Sequence, residues 1–96
     1  MPVYVTLWTF TDQRVKDVKA LIAETGAAKM VESMGGKALS GYWLMGPYDG
    51  IIITEFPDDE TASAACLAGC ARFGLRTTTM RAFDGEQFQR ILDKLP

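Results

Sequence analysis

The chain has 96 residues, 48% of them hydrophobic, a net charge of −2 and two cysteines. This length supports a single domain over residues 1–96 rather than two, and with no basic excess to neutralise phosphates a nucleic-acid partner is not expected. Histidine is absent, which excludes Ser-His-Asp and Cys-His catalysis and a histidine-ligated haem.

No apolar run approaches the length of a membrane span, so no membrane partner is expected. The opening residues read as a strand rather than a leader, and two cysteines fit a reduced compartment. The expectation is a cytoplasmic protein without a cofactor or a metal.

Val3–Phe10 (VYVTLWTF) is rich in β-branched and aromatic residues and reads as the first strand. Val3, Val5 and Leu7 take one face; Tyr4, Thr6, Trp8 and Phe10 take the other. Thr11 is a candidate helix N-cap. Val15, Val18 and Ile22 then recur at helical spacing, Gly26 interrupts, and Met30, Val31 and Met34 resume the pattern. This predicts one bent helix or two consecutive ones, stopped by Gly35-Gly36.

Lys37–Met45 (KALSGYWLM) and Gly50–Phe56 (GIIITEF) read as the second and third strands, joined as a hairpin. Pro47 suits the first central turn position, and Gly50 is expected to supply a left-handed residue. Asp58 is a candidate N-cap for the next helix, with Asp59 and Glu60 at its positive end. The helix body, TASAACLAGCARF, is mostly small residues, so it can lie close to a sheet, and Gly74 should stop it. Leu75–Phe83 (LRTTTMRAF) reads as the fourth strand. Asp84 and Gln87 form a capping-box pair, and Phe88, Ile91, Leu92 and Leu95 make the apolar stripe of a last helix.

The order β-α-β-β-α-β plus a C-terminal helix is the split βαβ pattern: an α+β, ferredoxin-like fold with an antiparallel sheet and helices on one face. The strands are nevertheless apolar or aromatic on both faces. A bare face of that kind is a large exposed patch unless something covers it. A second subunit packed sheet-on-sheet does so, giving a homodimer of the dimeric α+β barrel type.

The run GPYDGIIITEFPDDE at 46–60 resembles the motif that names the GYD domain family. YVTLWTFT at 4–11, MGGK at 34–37 and LRTTTMRAF at 75–83 are also similar to that family, so the resemblance covers nearly the whole chain. It implies a ferredoxin-like dimeric barrel and names no reaction. Family members often carry a glycine after Thr-x-x near the first helix and an arginine in its middle. Here those stretches read TDQR and AAK, so any role of the arginine falls to Lys29, which lacks the bidentate fork.

Six residues are ligand-binding candidates: Trp8, Tyr42, Trp43, Tyr48, Asp49 and Glu55. Tyr48 and Asp49 offer a phenol and a carboxylate at a sheet edge, although turn chemistry also accounts for every residue of Gly46–Gly50. Trp8, Tyr42 and Trp43, with Tyr4, are core aromatics by default, but their polar tips also suit a cavity wall. Glu55 is either an interior acid or half of a cross-strand or inter-subunit ion pair. Arg76 and Arg81 fall on opposite faces of the last strand. Arg14 and Lys29 are expected to be solvated. Cys66 and Cys70 share a helical face; no histidine or third cysteine completes a metal site, and they read as small packed residues.

Because no catalytic constellation is present, the expected role is a small-molecule-binding or assembly module acting as a homo-oligomer. The alternative is a cofactor-independent enzyme of the dimeric-barrel type, a monooxygenase or isomerase, needing little beyond a dry pocket and one acid or base. Glu55, Tyr48, Asp49 or Tyr42 are its candidates. A third reading has dimers stacking into larger rings.

Overall fold

The computed structural model describes the backbone of residues 1–23 and 26–96 and the side chains of 1–20 and 26–96. Four strands, β1 (Val3–Phe10), β2 (Lys37–Trp43), β3 (Gly50–Glu55) and β4 (Leu75–Ala82), form one sheet in the order β2-β3-β1-β4. Every neighbouring pair is antiparallel. This is the ferredoxin-like arrangement expected from the element order. The helices are α1 (Asp12–Val15), α2 (Val18–Ala23), α3 (Ala27–Ser33), α4 (Asp59–Phe73) and α5 (Gly85–Leu92).

Among the described residues the first crossover holds three short helices, not one bent helix or two. Val15 is 51% exposed, and α1 buries none of its residues. A single turn without an apolar anchor has nothing to hold it in line with the next helix. Val31 is buried and Met34 packs against the core. The Ile22 side chain of the expected stripe lies outside the described residues.

Helix ends follow the sequence signals more closely. The Thr61 N–H donates to the Asp58 carboxylate at 2.7 Å, capping α4. Gly74 stops that helix in the left-handed region at φ 65°. Asp84 and Gln87 form a reciprocal capping box on α5. Thr11 stands at the α1 cap position in extended conformation and makes no side-chain cap bond. In the hairpin the left-handed glycine is Gly46, at φ 120°, and not Gly50. Gly50 instead gives close approach: a Cβ there would lie 2.0 Å from the Trp8 ring.

Register sorts the two sheet faces. Tyr4 and Thr6 are buried, and Trp8 stands opposite Gly50 and Thr77. Tyr4 and Thr6 face Thr54 and Ile52 on one side and Arg81 and Thr79 on the other. Helices α3 and α4 pack on this face: Val31, Ala62 and Ala65 join Tyr4 and Phe56 in the core cluster. Ala62, Ala65, Gly69 and Phe73 are the buried stripe of α4, and the small residues Ala62, Ala65 and Gly69 let the helix approach the strands. Most aromatics thus turn toward the helices. The opposite face is mainly aliphatic, with Val3, Val5 and Leu7 aligned with Ile51, Ile53 and Met80.

Candidate functional site

Among the described residues, the core cluster lies at one end of the space between sheet and helices. Toward the β2 edge lies a cavity of about 520 Å³, walled by β1, β2, β3, α3, α4 and β4. That size falls in the range of small-molecule sites. Its lining is largely apolar, with Trp8, Phe10, Met30, Trp43, Ile52 and Phe73 among the walls.

Trp8 anchors the aromatic side. Its ring packs edge-to-face with Trp43 at 5.2 Å between centroids and with Phe10 at 5.1 Å. Both are favourable geometries for ring quadrupoles. The Gly50 backbone lies directly against Trp8, leaving no room for a side chain there. Trp43 remains 59% exposed and Tyr42 67%, so the edge-strand wall is open to solvent.

The polar side of the cavity is made of hydroxyls and a thiol. Thr6 and Thr79 share a hydroxyl–hydroxyl bond of 2.9 Å, and Cys66 Sγ lies 2.9 Å from the same Thr79 oxygen. Cys70 Sγ approaches Thr77 Oγ1 at 3.5 Å. Both cysteines are free, and their shared helix face turns to the β4 threonines. Thr6, Thr77 and Cys66 belong to the cavity wall itself.

Of the six residues singled out in the sequence, Trp8, Tyr42 and Trp43 line this cavity. Asp49 has another task. Its carboxylate accepts from the Phe10 N–H at 2.9 Å, and its own N–H donates to the Trp8 carbonyl at 2.8 Å. The turn is thereby tied to the end of β1, so Asp49 acts on a neighbouring strand and not only on its own loop. Tyr48 is half-buried beside it and is not among the cavity walls. Glu55 stands in register with Lys37 and Val3 on the open face.

Two arginines differ from a solvated reading or extend it. Arg14 donates through Nε to the Phe73 carbonyl at 3.2 Å and through a terminal nitrogen to the Arg72 carbonyl at 3.4 Å. It thus satisfies the C-terminal carbonyls of α4, where a cation also suits the helix dipole. Arg81 lies over the Tyr4 ring at 5.6 Å and the Phe83 ring at 4.8 Å, and donates to the Val3 carbonyl. Arg76 lies on the opposite face of β4 from Arg81. At the far end of the core the Tyr4 hydroxyl donates to Asp59 at 2.5 Å. Burial, then the bonded Asp59 carboxylate, push the Tyr4 phenol up from 10.0 to about 12.

Met30, Phe73, Phe10 and Cys66 are wall residues that sequence reading did not select. Their spacing marks them as core-facing, but a core-facing residue and a cavity-facing one have the same periodicity. Among the described residues no three His, Cys, Asp or Glu side chains cluster as a metal site would require, and no helix is long and apolar enough to cross a membrane.

Strand order, helix placement and register together define a ferredoxin-like α+β domain. The GYD domain model matches residues 4–92, and the chain belongs to that family. Among solved structures, an AsnC family transcriptional regulator from Agrobacterium tumefaciens is similar, with a TM-score of 0.52 and 16% identity over 86% of this chain. The match spans 50% of the regulator's length. A dimeric ferredoxin-like protein from an uncultured marine organism matches with a TM-score of 0.42 and 17% identity, over 88% of this chain and 97% of that one. No curated protein matches in sequence.

Proposed function

We propose that this GYD-family chain is a small-molecule-binding module that works as a homo-oligomer. The observation that carries the reading is the cavity of about 520 Å³ in the position where a domain this small would ordinarily place its core. Interiors close on themselves unless something else occupies the space, and this one is walled by a fixed aromatic corner and a short row of hydroxyls. The candidate acids Asp49 and Glu55 stand away from the described walls, Asp49 already engaged by the β1 backbone. No carboxylate stands among the described walls, which favours binding over an enzyme that relies on one; of the enzymatic candidates Tyr42 alone borders the cavity, at its exposed edge.

A second copy is the partner we assign to the open face. Val5, Leu7, Ile51 and Ile53 are only half-buried there, and Met80 is 45% exposed. Helix α5 buries none of its residues, leaving Phe88 at 53% and Leu92 at 41% exposure. Two apolar surfaces on one chain are economically covered by a sheet-to-sheet dimer. The likeness to half of the AsnC family regulator is one of fold and carries no regulatory role across.

Native mass spectrometry of protein purified from its own host tests both parts. The expected result is a dimer or larger assembly with a co-purified small molecule of defined mass. A stable monomer overturns the oligomer. Turnover of a metabolite, lost on replacing a carboxylate, overturns the non-catalytic reading.

A further inference from the structure

We infer that the cavity takes an uncharged, flat, largely apolar molecule of fused-ring size and rejects its ionised counterpart; this rests on the binding reading above. Three features of the wall lead there.

The first is charge. Among the described residues no lysine, arginine, aspartate or glutamate lines the cavity, and the chain contains no histidine. Two of the arginines are committed elsewhere. Arg14 holds the α4 carbonyls, and Arg81 holds the Val3 carbonyl while lying over Tyr4 and Phe83. An ionised ligand seated against these described walls would lose part of its hydration and gain no counter-charge from them, an unfavourable transfer.

The second is the limited number of hydrogen-bonding positions. The Thr6 and Thr79 hydroxyls already bond each other, and Cys66 bonds Thr79. Three groups joined by two bonds keep one donor free, so this cluster offers a ligand a single donated bond; Ser40, Tyr42, Thr54 and Thr77 are the other hydroxyl residues among the described walls. One hydroxyl or carbonyl on the ligand matches that donor.

The third is shape. Trp8 is held by Gly50 beneath it and by Trp43 and Phe10 at its edges. Its orientation is set before any ligand arrives, which lowers the ordering cost of binding a rigid ring against it.

Isothermal titration calorimetry with naphthalenemethanol and naphthoate, two probes of similar shape and different charge, tests the inference. The expected result is at least about tenfold tighter binding of the neutral alcohol. Trp43→Ala, at a position exposed enough to be replaced without loss of fold, should weaken that binding several-fold; circular dichroism verifies that the variant remains folded. Equal affinities, or tighter naphthoate, overturn the charge selection while the binding reading stands. Alcohol affinity unchanged in folded Trp43→Ala places the binding outside this cavity and overturns the inference. Saturable heat from neither probe removes the binding reading as well as the inference.

Discussion

Gly50 and Trp8 show how one missing side chain builds a site wall. The tryptophan ring occupies the volume in which a Cβ would stand. Gly50→Ala is therefore expected to destabilise the domain by about 1–3 kcal/mol, as overpacked interiors do. Urea unfolding would measure it, and the tryptophan emission should shift as Trp8 leaves its corner. Tyr4 contributes a pH dependence at the alkaline end. The folded state holds its phenolic proton more tightly than the unfolded chain, with a folded pKa near 12 against 10.0. Its contribution to stability is complete below pH 10 and declines as pH rises toward 12. Thermal melts should show that decline in the native protein and a weaker one in Tyr4→Phe. Asp58 acts at the acid end. The Thr61 hydroxyl and amide hold its carboxylate below its ordinary value of 3.8, so its contribution is present above that pH and lost as pH falls through the lowered value. Asp58→Asn keeps an acceptor for the cap and should reduce the acid dependence of melting while preserving most of the helix stability.

At the scale of elements, α4 is the most constrained. Ala62 is 2% exposed and Ala65 5%, both packed in the cluster with Tyr4 and Phe56. Ala62→Leu is expected to cost about 1–3 kcal/mol in chemical unfolding, because the added volume can enter only by moving the helix off the sheet. Helix α5 presents the opposite case. Its apolar stripe is strongly one-sided in sequence, yet it remains uncovered in the single chain. Substitution of Phe88 by serine should leave the unfolding of an isolated chain almost unchanged, and any large effect will be read in assembly. The caps of α4 and α5 were legible because a cap depends on a side chain within three residues. The split of the first crossover into three helices was not legible. Whether one turn continues into the next depends on which tertiary surface holds it, and Val15 has none.

For the whole molecule, the two faces of the sheet separate two roles. The Tyr4 face carries the cavity, and the Val3 face is the one the proposed function gives to a second copy. Ile53→Lys introduces a charge at the centre of the open face without entering the cavity. It should convert the assembly to monomers in light scattering while leaving cavity binding of a neutral probe within a few-fold of wild type. If dimers persist, the contact between copies lies elsewhere on the chain.

The order of elements, the glycine stop of α4, both side-chain caps and membership of the GYD family all follow from local spacing and contiguous motif, and the sequence by itself determined them. Three of the six candidate site residues, Trp8, Tyr42 and Trp43, border one cavity: register sets Trp8 and Trp43 on one face across Gly50, whereas Tyr42 is in register with Ile51 and borders it from the exposed edge strand. Tertiary structure alone decided that Asp49 would fasten the turn to β1, that Glu55 would stand on the open face, and that Arg14 would hold the end of a helix some sixty positions away. The reason is physical. Alternation along a strand says that two faces exist, but only the registration of strands and the placement of helices says which face is covered, and which apolar side chains border an empty space instead of one another.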